Sequence, residues 1–100
     1  MDYKVILAPR AVKDLQEIVR YISLGNPQQA ERFGYFLIEK TKVLGKFQEI
    51  GREVPEFNDP QIREIIIRSY RVIYRIQHKQ GVVEIARFWH AARGIPKVER

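Results

Sequence analysis

The apolar positions of the chain follow two different periods, one typical of helices and one typical of strands. After residue 9 they first recur every three or four residues, as on one face of an α-helix, and they are Val12, Leu15, Ile18, Val19 and Ile22. Pro9 near the start and Gly25 after the end predict where this first helix begins and stops. A helix with such a face has to bury it against another element.

A second helix is predicted directly after the first. Asn26 has the side chain of an N-cap, Pro27 suits the first helical position and Gln29 suits the third. The predicted inner face consists of Ala30, Phe33, Leu37 and Leu44, widened by Phe36, Val43 and Phe47. Because only one residue separates the two helices, the pattern predicts an antiparallel hairpin that needs a further layer to cover.

The C-terminal half of the chain changes to runs rich in Ile, Val, Tyr and Phe, which are typical of β-strands. The three runs are residues 62–68, 70–77 and 82–89. Only Ser69 and residues 78–81 separate them, and such tight turns predict an antiparallel meander.

Together these elements predict an α+β fold. A short N-terminal strand within residues 2–7 precedes the two-helix antiparallel hairpin, which packs on one face of a small antiparallel β-sheet. Residues 48–60 are rich in Gly, Pro, Asn and Asp and are predicted to form a loop. A chain of 100 residues supplies a single core, so we expect residues 1–100 to form one domain.

Arginine side chains interrupt the apolar strands. In the middle strand, Arg71 and Arg75 lie on the same side as Ile73, because side chains alternate with a period of two. With the hairpin on one face, we expect the other face to be open to water or a ligand, where arginines carry no desolvation cost. Arg87 in the last strand does not follow a clean alternation, so its face stays open at this point.

The positive charge is concentrated at the C-terminal end. The net charge is +6, and residues 61–100 hold nine Lys and Arg against three Glu, whereas residues 1–60 are neutral overall. A one-sided basic field attracts anionic partners such as nucleic acid or an acidic protein. A basic surface that only keeps the protein in solution is the plain alternative.

Composition argues against several functional classes. There is no cysteine, and the two histidines, His78 and His90, lack the spacing of metal ligands, so we expect no metal and no cofactor. No apolar run approaches the roughly 18 to 20 residues that span a bilayer, and the N-terminus lacks the long apolar segment of a signal peptide. We therefore expect a soluble, cytoplasmic protein without a membrane partner.

The most specific motifs lie in residues 51–57 (GREVPEF), 62–76 (IREIIIRSYRVIYRI) and 82–96 (VVEIARFWHAARGIP), preceded by residues 8–22 and 26–33. These stretches closely resemble the RelE/ParE superfamily of toxins from bacterial type II toxin-antitoxin modules. The resemblance covers nearly the whole chain and implies a toxin that a cognate antitoxin holds inactive by docking on its helices and sheet. The target stays open, because RelE-like members cut mRNA on the ribosome and ParE-like members inhibit DNA gyrase.

Three residues are candidates for metal-free RNA cleavage, which needs a base, an acid and cations at the phosphate. By resemblance to the YoeB-like branch, Glu56 matches its general-base glutamate, Arg63 its phosphate-contacting arginine and His90 its histidine. Ala91 stands where that branch has a tyrosine, and the loop lacks the lysines of the RelE branch. Cleavage of ribosome-bound mRNA is the first functional prediction.

Two alternatives remain. ParE-like members can end the last strand with a histidine and a basic segment, as here, without any nuclease site, which predicts gyrase inhibition. The second alternative is a non-toxic basic domain that binds nucleic acid or protein. His90 is alternatively a strand-end residue bonded to backbone, and Glu56 an ion-pair partner of Arg52 or Arg63. The candidate contacts to nucleic acid or target are Arg52, Arg71, Arg75, Arg87, Arg93 and Lys97.

Overall fold

The computed structural model describes residues 2–98. In chain order its elements are β1 (Lys4–Leu7), α1 (Pro9–Ser23), α2 (Pro27–Thr41), a 3-10 helix (Lys42–Gly45), β2 (Arg52–Glu53), β3 (Ile62–Ile67), β4 (Tyr70–Gln77), β5 (Val82–His90) and a second 3-10 helix (Ala91–Arg93). The predicted α+β class and the antiparallel meander are confirmed. No helix in the described part of the chain is long and apolar enough to cross a membrane.

The strands form one mixed sheet in the order β1-β5-β4-β3-β2. β1 runs parallel to β5, and the other neighbours are antiparallel. The helical hairpin returns the chain to the start of β1, where the Tyr3 amide donates to the Gly45 carbonyl, and the antiparallel strands that follow bring β5 beside β1 in the same direction. The loop prediction for residues 48–60 was wrong at Arg52 and Glu53. These two residues form β2, a short strand that pairs with the outer edge of β3.

The helical hairpin follows the prediction except at its end. The Asn26 side chain accepts a hydrogen bond from the Gln29 amide at 3.1 Å, as an N-cap does. At Gly34 the helices approach so closely that a Cβ atom there would lie 2.9 Å from Val19 Cγ2. The α-helical geometry stops at Thr41, where a 3-10 helix begins, and this turn carries Leu44 into the core while leaving Phe47 exposed.

The main core lies between the hairpin and the sheet. Apolar side chains from all three long strands meet those of both helices there, and its buried members are Ala11, Leu37, Leu44, Ile67, Val72, Tyr74, Ile76, Val83, Ile85 and Phe88. Burial of such side chains stabilises the fold by about 1.5–3 kcal/mol each for the larger aliphatic and aromatic ones.

The opposite face of the sheet has a small core of its own. Its buried residues are Val54, Ile62, Ile73 and Ala86, and Phe57 and Val98 pack against them. The loop before β3 and the segment after β5 therefore cover this face. The expectation of an open face was wrong, because alternation along the strands shows which side chains share a face but not which loops return to cover them.

A β-bulge explains the irregular alternation in the last strand. Ile73 lies opposite Arg87 and Tyr74 lies opposite Ile85, so Ala86 is an extra residue in β5. Beyond the bulge the pattern is inverted. Phe88 therefore joins the helix-facing core, and Arg87 falls on the same face as Ile73 and the arginines of β4.

Candidate functional site

The face opposite the helices contains a charged network that we name the Glu64 network, made of Arg52, Glu56, Glu64 and Arg71. The Glu64 carboxylate is fully buried and accepts hydrogen bonds from Arg52 Nε and Arg71 Nε, both at 2.6 Å. Arg71 also donates from Nη1 to the Gly94 carbonyl at 3.3 Å and approaches Glu56 from Nη2 at 3.4 Å. One guanidinium thus joins β3, the preceding loop and the C-terminal segment.

Burial and charge act in opposite directions on Arg71. Burial alone lowers the pKa of its guanidinium, but the hydrogen bond and charge of Glu64, and then the charge of Glu56, outweigh it and raise the pKa above the ordinary value. Arg71 was predicted to lie exposed, and this is wrong, because the loop and the C-terminal segment cover it. A target that contacts this guanidinium has to displace one of its internal acceptors.

Arg87 connects the last strand to the first helix, and its side chain, whose face the sequence left open, is buried. Its Nε and Nη2 donate to the Asp14 carboxylate at 2.7 Å and 3.0 Å, and its Nη1 donates to the Lys97 carbonyl at 2.8 Å. The Phe88 amide donates to the same carboxylate at 3.1 Å. Since β1 ends at Leu7, Asp14 supplies the acceptor that a neighbouring strand would otherwise offer to β5.

Hydrogen bonds around Gly51 fix the conformation of the loop before β2. The buried Tyr74 hydroxyl donates to the Gln48 carbonyl at 2.7 Å and accepts from the Gly51 amide at 3.0 Å. Arg63 Nη1 donates to the Gly51 carbonyl at 2.9 Å. A Cβ atom at Gly51 would lie 2.5 Å from the Glu64 carbonyl oxygen, so the close approach of two backbones requires glycine. The most specific motif of the sequence therefore has a structural role.

The three candidate catalytic residues do not converge. Glu56 belongs to the Glu64 network, on the face opposite the helices. Arg63 lies opposite Tyr74 in the sheet and His90 lies opposite Tyr70. These two positions on β4 are four residues apart, which is about 13 Å along a strand. Within residues 2–98, no hydrogen bond or ion pair joins any two of the three candidates.

His90 caps the 3-10 helix that follows β5. Its Nδ1 accepts a hydrogen bond from the Ala92 amide at 3.1 Å, and its ring packs edge-on against Tyr70 with 5.3 Å between centroids. An accepting Nδ1 places the proton of the neutral ring on Nε2. Burial, with a smaller contribution from Tyr21, raises the pKa of Tyr70. His90 thus makes a backbone contact at the end of its strand, as the alternative to a catalytic role predicts.

The remaining cations that were predicted to contact a target differ in their ion pairing and in their exposure. Arg75 lies 3.4 Å from Glu84, and Arg52 is tied to Glu64 although its side chain is 65% exposed. Glu56 pairs with Arg71. The alternative interpretation of Glu56, as an ion-pair partner of Arg52 or Arg63, was therefore right about the ion pair and wrong about the partner. Arg93 and Lys97 are exposed, and the Arg93 guanidinium stacks 4.2 Å above the ring of Trp89.

Asp14 and Glu64 anchor the two buried ion pairs, and the sequence interpretation missed both. Asp14 lies three residues after Ala11 and four before Ile18, so it shares the apolar face of α1. Glu64 lies in a strand on the same side as Ile62 and Ile66, by the alternation of side chains. A carboxylate at a core position next to strands rich in arginine is the signal that could have revealed them, because buried acids need a cationic partner.

Comparison with protein-family models assigns the chain to a family. Residues 5–95 match the model of the family described as the ParE toxin of the type II toxin-antitoxin system parDE. A search of curated proteins finds no match.

Solved structures from three bacteria share the fold. The chromosomal ParDE TA system from P. aeruginosa superimposes with a TM-score of 0.72 at 20% identity, covering 88% of this chain and 95% of that one. The toxin-antitoxin complex RelBE2 from Mycobacterium tuberculosis gives 0.60 at 19% identity, with 90% and 92% covered. The isolated E. coli RelE toxin gives 0.60 at 21%, with 92% and 87% covered.

The match to the family model spans nearly the whole described chain, and the structural neighbours share its α+β fold. The predicted resemblance to the RelE/ParE superfamily is confirmed. The chain belongs to the ParE toxin family and is the toxin of a type II toxin-antitoxin system.

Proposed function

We propose that this toxin arrests growth by binding and inhibiting DNA gyrase, as the ParE-like resemblance implies, and not by cutting RNA. The observation that carries the proposal is the separation of Glu56, Arg63 and His90. An acid, a base and a cation that act on one phosphate must all come within hydrogen-bond reach of it, about 2.6–3.2 Å. Here Glu56 lies on the opposite face of the sheet from His90, and Arg63 lies about 13 Å from His90 along β4, so the three side chains are not arranged around one phosphate.

An exposed surface at the end of β5 suits a protein target. The Trp89 indole donates to the Gly94 carbonyl at 3.1 Å, and the Arg93 guanidinium stacks on its ring. Ile95 follows with 63% of its surface exposed. An ordered arginine beside aromatic and aliphatic groups is the composition of an interface hot spot. The toxin surface that contacts gyrase is therefore expected to include Arg93, Trp89 and Ile95.

A cognate antitoxin is the second partner that we propose. The neighbours from P. aeruginosa and Mycobacterium tuberculosis are toxin-antitoxin systems. In this chain, Tyr21 and Leu24 are 77% and 83% exposed near the tip of the hairpin, and Ile66 is 58% exposed on β3. β2 pairs only with Arg63 and Glu64, so the outer edge of β3 beyond them can accept an added strand. With gyrase and an antitoxin as partners, we expect the toxin to act in the cytoplasm.

The mechanism is tested by measuring three effects of the same variants: growth arrest after induction, inhibition of gyrase supercoiling, and integrity of mRNA in a translation extract. His90→Ala and Glu56→Gln are expected to keep growth arrest and supercoiling inhibition within a few-fold of wild type. Arg93→Glu is expected to weaken both by on the order of tenfold or more, because hot-spot truncations cost about 1.4 kcal/mol or more. Lys79→Glu, an exposed turn residue, is the matched charge reversal.

The RNA-cleavage prediction makes the opposite forecast for the same variants. Loss of a proton-transfer group costs about 100-fold to 10,000-fold in rate, so His90→Ala or Glu56→Gln would then nearly abolish arrest. Cleaved mRNA in wild type that disappears with His90→Ala would overturn the gyrase proposal. A wild-type chain that is harmless, with gyrase and mRNA both unaffected, would favour the non-toxic binding domain instead.

A further inference from the structure

A cleft of about 1030 Å³ lies between the start of α1 and the C-terminal segment. Its floor is the outer face of β4 and β5, at Arg75, Glu84 and Ala86. One wall is residues 8–13, and the other is residues 96–98, with Phe57 beside them. We name it the basic cleft, because among residues 2–98 five cations and one carboxylate line it, the cations being Arg10, Lys13, Arg75, Arg87 and Lys97.

The cations of the basic cleft are only partly neutralised. Arg75 faces Glu84, and Arg87 is engaged by Asp14. Arg10 shares that same Asp14 carboxylate at 3.8 Å, and its side chain is 59% exposed. Lys13 and Lys97 are exposed, and within residues 2–98 neither ammonium group has an ion-pair partner. The cleft therefore presents excess positive charge from both of its walls.

The basic cleft is formed before any ligand arrives. Arg87 Nη1 donates a hydrogen bond to the Lys97 carbonyl at 2.8 Å. Beside it, Pro96 is buried and Val98 packs against the small core of this face. The opposite wall belongs to α1, which Asp14 ties to β5. Because both walls are fixed to the sheet, a ligand would bind them without an ordering cost for the backbone.

We propose that the basic cleft binds single-stranded nucleic acid through its phosphates. A chain of phosphates matches cations on two facing walls. A peptide bound by strand addition needs an open row of backbone groups, but the floor here is a sheet face, whose backbone groups are already paired. A duplex is rigid, and a concave cleft of this size suits a flexible strand. The inference goes beyond the proposed function, because nothing in it depends on gyrase.

The binding test uses the full chain and fluorescence anisotropy with labelled oligo(dT), oligo(rU) and a duplex of the same length, over a salt series. Single strands are expected to bind more tightly than the duplex, with affinity falling linearly on a logarithmic salt scale. The DNA and RNA arms identify which single strand the cleft prefers. A poly-glutamate peptide is added as competitor, and it is expected to displace the oligonucleotides only weakly.

The assignment to the cleft is tested by the double variant Lys13→Gln, Lys97→Gln. It is expected to weaken oligonucleotide binding tenfold or more and to flatten the salt slope by about 1.4, since each lost phosphate contact removes about 0.7 on single strands. The matched control is Arg32→Gln, Lys79→Gln, which removes two exposed cations outside the cleft. Far-ultraviolet circular dichroism checks that both variants are folded.

Four outcomes would overturn the inference: no binding of either single strand, a duplex bound as tightly as a single strand, equal losses in the two double variants, or full displacement by poly-glutamate. The last of these would reassign the cleft to an acidic peptide. Since anisotropy contains no gyrase, each of these failures leaves the proposed function standing.

Discussion

Tyr74 shows how a single residue can hold a loop of this protein in place. Its hydroxyl is a donor to Gln48 and an acceptor from Gly51, so one buried polar group satisfies two backbone groups that lie 26 and 23 residues away in sequence. Buried polar groups are costly unless they are paired, and here one side chain completes both pairs. The loop that carries Arg52 to Glu64 depends on this hydroxyl.

We predict that Tyr74→Phe lowers the free energy of unfolding by about 1–3 kcal/mol at neutral pH, because the Gln48 carbonyl and the Gly51 amide lose their partner. Urea unfolding followed by circular dichroism measures the change. Tyr35→Phe, at an exposed position on α2, is the control and is expected to leave stability unchanged. An unchanged unfolding free energy for Tyr74→Phe would show that water replaces the hydroxyl without cost.

The same hydroxyl gives a pH dependence. Burial raises the pKa of Tyr74 above its ordinary 10.0. Above that pH the unfolded chain releases the phenolic proton while the folded chain retains it, so the stabilisation is complete below about pH 10 and is lost as the pH rises. We predict that the unfolding free energy of Tyr74→Phe falls less steeply above pH 10 than that of wild type. Parallel slopes in a pH series of urea unfolding would contradict this.

At the residue scale the sequence revealed side-chain types and faces but not their partners. Alternation placed Arg71 and Arg75 on one face correctly, yet it could not show that Glu64 and Glu56 meet Arg71 there. Asp14 and Arg87 are separated by 73 residues. Contacts over such separations, and the burial that goes with them, depend on how loops return to the sheet, which no local pattern encodes.

Among the elements, α1 and β5 are joined by the Asp14–Arg87 pair, in which both side chains are 6% exposed. We predict that Asp14→Ala destabilises the protein by about 3–5 kcal/mol, because it leaves the Arg87 guanidinium buried without a counter-charge and the Phe88 amide without an acceptor. Thermal and urea unfolding measure the loss. Glu17→Ala, an exposed acid on the same helix, is the control.

A double variant distinguishes the contribution of the ion pair from that of side-chain packing. Asp14→Leu with Arg87→Met replaces both charges by apolar groups, and it is expected to be more stable than either single variant, since the uncompensated charge is gone. If the double variant were as unstable as the sum of the single changes, the two residues would be acting independently. That result would remove the ion pair as the connection between α1 and β5.

Local patterns predicted the elements well and their connections less well. The first helix, the Asn26 cap and the meander follow from helical spacing, capping and alternation, all of which act over a few residues. The parallel direction of β1, the bulge at Ala86 and the strand at residues 52–53 depend on distant partners. The bulge decides which face Arg87 occupies, so the site was harder to predict than the fold.

For the whole molecule, the tip of the hairpin and the C-terminal segment each expose an apolar group. Leu24 is exposed near the tip of the hairpin, whereas Ile95 is exposed between Arg93 and Lys97 on the C-terminal segment, and Tyr21 and Arg93 line a shared cavity. A protein with two such surfaces can be neutralised at one and act through the other. The proposed antitoxin and the proposed target are therefore expected to depend on different residues.

We predict that Leu24→Asp weakens antitoxin binding by on the order of tenfold to a hundredfold while leaving supercoiling inhibition by the free toxin unchanged. An exposed leucine near the hairpin tip is an anchor for an apolar partner, and a charge there would have to be desolvated in the complex. Ile95→Asp is the matched change on the C-terminal segment, and it is expected to reduce supercoiling inhibition while keeping the antitoxin bound. Calorimetry with the cognate antitoxin and a supercoiling assay, run on both variants, separate the two surfaces. If either variant lost both activities while remaining folded, antitoxin and target would share one surface, and inhibition by the antitoxin would be direct competition.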